Sequence, residues 1–134
     1  MKKYNIEEVF NIIGKDYLTL KNQMSRMYDK NADAIVEGYK VRKISLRYMT
    51  FYQKGVDCVC CNRKGSYFLL EGDDNNPLRR HFNLYTEDDV LMTKDHIIPK
   101  SKGGKDNVDN MQPMCIICNE KKKNNISFEV TNND

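Results

Sequence analysis

The chain has 134 residues, 40% of them apolar and 31% charged, with a formal net charge of +3. That length suits one domain, or a small domain with an extension, and no apolar run is long enough to cross a bilayer. The odd count of five cysteines disfavours a disulfide framework, and acidic Glu7 and Glu8 stand where a secretory leader needs apolar residues, so the expected compartment is the cytoplasm or a bacterial equivalent.

In chain order, Asn5 with Glu8 three residues later forms a capping-box pattern, and Ile6, Val9, Phe10 and Ile13 repeat at helical spacing up to a stop at Gly14. A second helix is expected over 16–29. Tyr17, Leu20, Met24, Met27 and Tyr28 would form one apolar stripe, covering either the core or a homodimer interface. Residues 30–38 have no dominant period, and residues 39–44 read as a short strand. Tyr48, Phe51 and Tyr52 mark a third helix from Ile44 to about Gly55.

The character of the chain changes near residue 55. Before Cys58, eleven Lys and Arg face seven Asp and Glu; from Cys58 on, eleven face twelve. Cysteines and turn signals then appear, at Gly65, Gly72, Asp73–Pro77 and Gly103–Gly104, with strands expected at Ser66–Leu70 and Phe82–Tyr85. The expected organisation is a mainly helical segment over 1–55 and a zinc-binding α+β domain over 56–130, with a polar, frayed tail at Thr131–Asp134.

Cys58 and Cys61 form one C-x-x-C pair, and Cys115 and Cys118 form a second. Two residues between cysteines let a tight turn aim both thiolates at one ion, and two such pairs make a closed tetrahedral zinc site. The ion would tie distant stretches together, so its binding energy becomes folding energy. Cys60 is an alternative to Cys58 or Cys61; the matching spacing of the partner pair favours the latter two.

The most informative stretch is Asp95-His96-Ile97-Ile98-Pro99-Lys100-Ser101-Lys102-Gly103-Gly104, followed by Asn110 and by Cys118-Asn119. Phosphodiester hydrolysis needs an activated water and neutralisation of phosphate charge. A near-neutral histidine can take the water's proton. Oxygen donors such as Asp95 and Asn119 suit a hard divalent ion. Neighbours on a regular strand face opposite ways, so irregular backbone is expected at Asp95–His96. Basic clusters, among them Lys94, Lys100, Lys102, Lys105, Lys121, Lys122, Lys123 and Arg47, could face phosphates.

These motifs resemble the HNH endonuclease family, with its D-H-I-x-P-x-S-x-G-G stretch, central Asn and closing His or Asn. With the cysteine pairs included, the chain is similar to the zinc-containing subset that includes phage recombination endonucleases. The resemblance covers Asp95 to about Lys122, or Cys58 onward with the zinc pairs, and leaves residues 1–55 outside. It implies a ββα-metal unit that cuts DNA, duplex or branched, with RNA as a further possibility. His96 would be the general base, and Asp95 and Asn119 the ligands of Mg²⁺ or Mn²⁺. Asn110 would bond across the loop and hold His96 in place, and Lys122 would contact phosphate. Asn119 stands where many members have His, which favours a hard ion. The main rival is a non-catalytic zinc-clamped nucleic-acid-binding module.

Overall fold

The computed structural model describes residues 1–72 and 75–124. The expected domain limit at 130, the tail Thr131–Asp134 and the first two residues of the turn at Asp73–Pro77 lie outside that range. No helix of the described residues is long and apolar enough to cross a membrane.

Strand β1 (Tyr4–Asn5) leads into helix α1 (Ile6–Ile13). The capping box forms: Asn5 Oδ1 accepts from the Glu8 amide at 2.7 Å, and the Asn5 amide donates to Glu8 Oε1 at 3.0 Å. Val9 and Ile13 are buried, and Gly14 ends the helix at φ 94°, where a side chain would be strained.

Helix α2 is only Lys15–Leu18, not the long helix expected over 16–29. Distant partners take the carbonyls that would have extended it. Gln53 Nε2 donates to the carbonyls of Leu18 and Leu20 at 2.8 and 2.7 Å, and the Val108 amide donates to that of Lys21 at 2.8 Å. Farther on, Asn22 and Asp29 accept from the amides of Met24 and Asn31, local bonds that compete with helix. Met24 and Tyr28 are therefore 65% and 87% exposed, and no helical stripe exists there to form a dimer interface.

Residues 33–42 form a hairpin of β2 (Asp33–Val36) and β3 (Tyr39–Arg42). Helix α3 (Leu46–Lys54) is capped by Ser45 and buries Tyr48, Met49 and Phe51. Strands β4 (Gly65–Gly72) and β5 (Arg79–Thr86) pair antiparallel, with Phe68 opposite Leu84 and Leu70 opposite Phe82. The five-stranded sheet runs β1-β4-β5-β3-β2, with β3 and β5 parallel. The first 55 residues thus supply three strands to this sheet as well as helices, and the sheet draws on both sides of residue 55.

A second sheet pairs β6 (Met92–His96) with β7 (Met111–Cys115), and helix α4 (Ile116–Asn124) follows at once. One apolar core runs through both sheets, from Phe51, Phe68 and Phe82 to Met92, Met111 and Met114. The architecture is mixed α+β, and α3 packs against both β6 and β7.

Candidate active site

The sulfur atoms of Cys58, Cys61, Cys115 and Cys118 all lie within 4.8 Å of one another. None is in a disulfide. Zinc–sulfur bonds of about 2.3 Å set tetrahedral sulfurs about 3.8 Å apart, and Cys61 and Cys115 already stand 3.8 Å apart. The Cys58 amide donates to the Arg63 carbonyl and the Asn62 amide to the Cys58 carbonyl, with Asn62 at φ 64°. This tight turn aims the first pair. The Val59 amide donates to the Pro113 carbonyl at 3.0 Å and docks that turn on β7.

Burial pushes the Cys115 and Cys118 thiols up. Burial also acts against the Cys61 thiolate, but bonds from the Arg63 amide and guanidinium outweigh it and bring that thiol down to about 7. Four cysteine sulfurs so crowded, three of them buried, form a donor set that suits a divalent metal such as zinc. Cys60 stands outside the cluster.

Beside this clamp, β6 keeps an unbroken antiparallel register, with Asp95 opposite Gln112 and His96 opposite Met111. The irregular backbone expected at Asp95–His96 is absent. Each face of the strand end has its own wall, so the two side chains need no shared face. Asp95 meets α4 and β7: its Oδ2 accepts from Gln112 Nε2 at 3.0 Å and from Lys122 Nζ. His96 meets the loop after β6 instead, with Nε2 2.7 Å from Asp106 Oδ1. The bonds from His96 and Lys100 hold the Asp106 carboxyl down at about 2.

Asn119 lies in α4 one turn before Lys122 and is 7% exposed. Its Nδ2 donates to Thr93 Oγ1 at 2.8 Å, and Thr93 Oγ1 donates to the Met114 carbonyl at 2.7 Å. A hydroxyl has one proton. Since Thr93 gives it to Met114, the Asn119 atom facing Thr93 must be the amide nitrogen. Asn119 Oδ1 is left buried with no hydrogen-bond partner. Thr93 and Asp95, two apart on β6, point to the same face of the hairpin.

The loop over 97–110 is locked by Asn110. Its Oδ1 accepts from the Ile98 amide at 2.9 Å, and its Nδ2 donates to the carbonyls of Ile98 and Lys105, both at 3.1 Å. Gly104 is required here, because a Cβ would fall 1.7 Å from the Ile98 carbonyl oxygen.

Residues 85–134 match the model of the HNH endonuclease family. Over this segment the chain is similar to that family. No curated protein and no solved structure matches the chain. The HNH segment takes in β6, β7, α4, the second cysteine pair and the locked loop, and it begins after Cys58, Cys61 and α3.

The structure brings Asp95, Asn119 and Lys122 together on the α4 side of the HNH hairpin. Lys122 also donates to the His96 carbonyl at 3.0 Å, so it lies within the site. Lys100 is ion-paired with Asp106 at 2.9 Å, and Lys102 is exposed in the loop. His81 lies on β5 opposite Glu71.

Sequence reasoning missed Asp106, Gln112 and the Thr93 hydroxyl. Gln112 follows once the β6–β7 register is known; Asp106 carries no local signal, because only the fold of the loop brings it to His96. Replacing Asn110 with alanine removes three hydrogen bonds and should cost about 2 kcal/mol of stability, read from urea unfolding; an unchanged midpoint would contradict its locking role.

Proposed function

We propose that the centre is a metal-dependent endonuclease that hydrolyses DNA phosphodiester bonds. In this reading residues 56–130 are the zinc-binding nuclease domain, with β6, β7 and α4 its catalytic ββα-metal unit; the four cysteines hold a structural Zn²⁺, and Asp95 and Asn119 hold Mg²⁺ or Mn²⁺. The observation that carries it is Asn119 Oδ1, buried without a partner on the side of the hairpin where Asp95 lies. An unsatisfied buried acceptor costs about 1–3 kcal/mol, and a carboxylate beside a free amide oxygen is a donor set for a hard cation.

Such an ion, when bound, supplies Lewis acidity to the phosphate and to the leaving oxygen. The rest is done by side chains. His96 Nε2–H donates to Asp106 Oδ1, which leaves Nδ1 as the lone-pair nitrogen. Nδ1 takes a proton from water as the water oxygen bonds to phosphorus. The bond from phosphorus to the 3′ oxygen breaks, and that oxygen takes up a proton from solvent, leaving a 5′ phosphate. Asp95 and His96 leave the end of β6 on opposite faces, so a phosphodiester that meets both lies across the strand end. Lys122 neutralises Asp95 and is placed to pair with substrate phosphate.

Asp106 orients the base without touching substrate. Asp106→Ala should lower kcat by about 10²-fold, whereas Asp106→Asn, which still offers an acceptor oxygen to Nε2, should keep most of it. Equal losses in the two variants would argue against orientation through that bond.

The reading as a whole is tested with supercoiled plasmid, branched DNA and RNA, each with and without added Mg²⁺ or Mn²⁺. Ion-dependent cutting of DNA with ligatable 5′ phosphate ends is expected. Cutting of RNA alone would move the substrate. Binding without cutting any of them would leave only the zinc-clamped binding module.

A further inference from the structure

A cleft of about 260 Å³ lies between the HNH hairpin and the sheet, with Arg47, Lys94, Lys123 and Asn83 in its lining beside Thr93 and Asn119 of the proposed centre. Three cations from three elements converge there: Arg47 from α3, Lys94 from β6 and Lys123 from α4. Among the described residues, none of the three forms an ion pair within 4 Å of a carboxylate. Arg47 is held by a neutral group: its Nη1 donates to Asn83 Oδ1 at 2.8 Å, and Asn83 Nδ2 donates to Glu71 Oε1 at 2.8 Å. That chain fixes the guanidinium while leaving its charge unneutralised by direct contact.

Like charges gathered with no carboxylate in direct contact among the described residues fit a polyanion. We propose that this cleft binds a backbone phosphate of the nucleic acid next to the one cleaved, with Arg47 as its anchor. The proposal deepens the nuclease reading and rests on it for the identity of the ligand. It also gives the first 55 residues a role at the site, because Arg47 lies outside the segment that matches the family. A planar guanidinium can grip a phosphate with two parallel bonds, which an ammonium cannot.

The test is fluorescence anisotropy with a labelled DNA duplex, without added Mg²⁺ or Mn²⁺, over a range of salt concentrations. Arg47→Gln and Lys94→Gln should each weaken binding about 10-fold and lower the salt slope by about one. Arg47→Lys should keep the slope and lose part of the affinity. Lys15→Gln, which removes an exposed charge on α2, should leave both unchanged. If Arg47→Gln and Lys94→Gln, each confirmed folded by circular dichroism, bind like wild type with the same slope, the proposal is overturned. The readout needs no cleavage, so failure of the hydrolysis reading would show separately, as a wild-type protein that binds duplex and never cuts it.

Discussion

Cys115→Ser is expected to empty the zinc clamp and lower the melting temperature by about 10 °C or more. Cys115 is fully buried at the end of β7, and Cys118 sits in the first turn of α4, so the clamp fixes both elements that frame the proposed centre. The first cysteine pair is docked on β7 through Val59 and Pro113. Structural zinc binding is worth about 10–16 kcal/mol, as much as the whole stability of an ordinary domain. Losing one thiolate therefore threatens the HNH segment and the shared core. One zinc per wild-type chain by elemental analysis, with loss of zinc and of thermal stability in the variant, is the expected pattern. Cys60→Ser, outside the cluster, should retain the metal. A wild-type chain without zinc, or a Cys115→Ser variant that melts like wild type, would contradict the clamp.

Asn119→Ala should separate activity from stability. The substitution removes a buried acceptor that has no partner and one bond to Thr93, while Thr93 keeps its bond to the Met114 carbonyl. The lost bond and the relieved oxygen are each worth about 1 kcal/mol and oppose each other. Unfolding stability should therefore change by less than about 1 kcal/mol, while cleavage falls about 10²-fold or more through loss of an ion ligand. Asp95→Ala should lose activity similarly but also leave Lys122, only 22% exposed, without its carboxylate, so it should be the less stable of the two. Urea unfolding and cleavage rates on the same preparations check both. Full activity in Asn119→Ala would remove it as an ion ligand.

Features encoded over a few neighbouring residues were legible from the sequence. The capping box of Asn5 and Glu8, the α3 stripe, the strands at Ser66–Leu70 and Phe82–Tyr85 and the two cysteine pairs all depend on local sequence. The motif from Asp95 to Gly104 was legible for the same reason: Asn110 and Gly104 lock one short loop. What escaped depends on distant partners. Gln53 and Val108 capture the carbonyls that end α2, and nothing near residue 19 announces them. The parallel pairing of β3 with β5 joins residues far apart in the chain. The regular course of β6 through His96 depends on walls supplied by α4 and by Asp106. The sequence offers Arg47, Lys94 and Lys123 among scattered basic residues that could face phosphates, but only the fold brings these three to one cleft.

The proposed hydrolytic centre of Asp95, His96 and Asn119 stands or falls with His96 as its base. Wild type and His96→Ala are compared on supercoiled plasmid with Mg²⁺ or Mn²⁺, after zinc content and circular dichroism show that both are folded. Wild type should cut, and the variant should lose about 10²–10⁴-fold in rate. Equal rates in the two proteins would contradict that role.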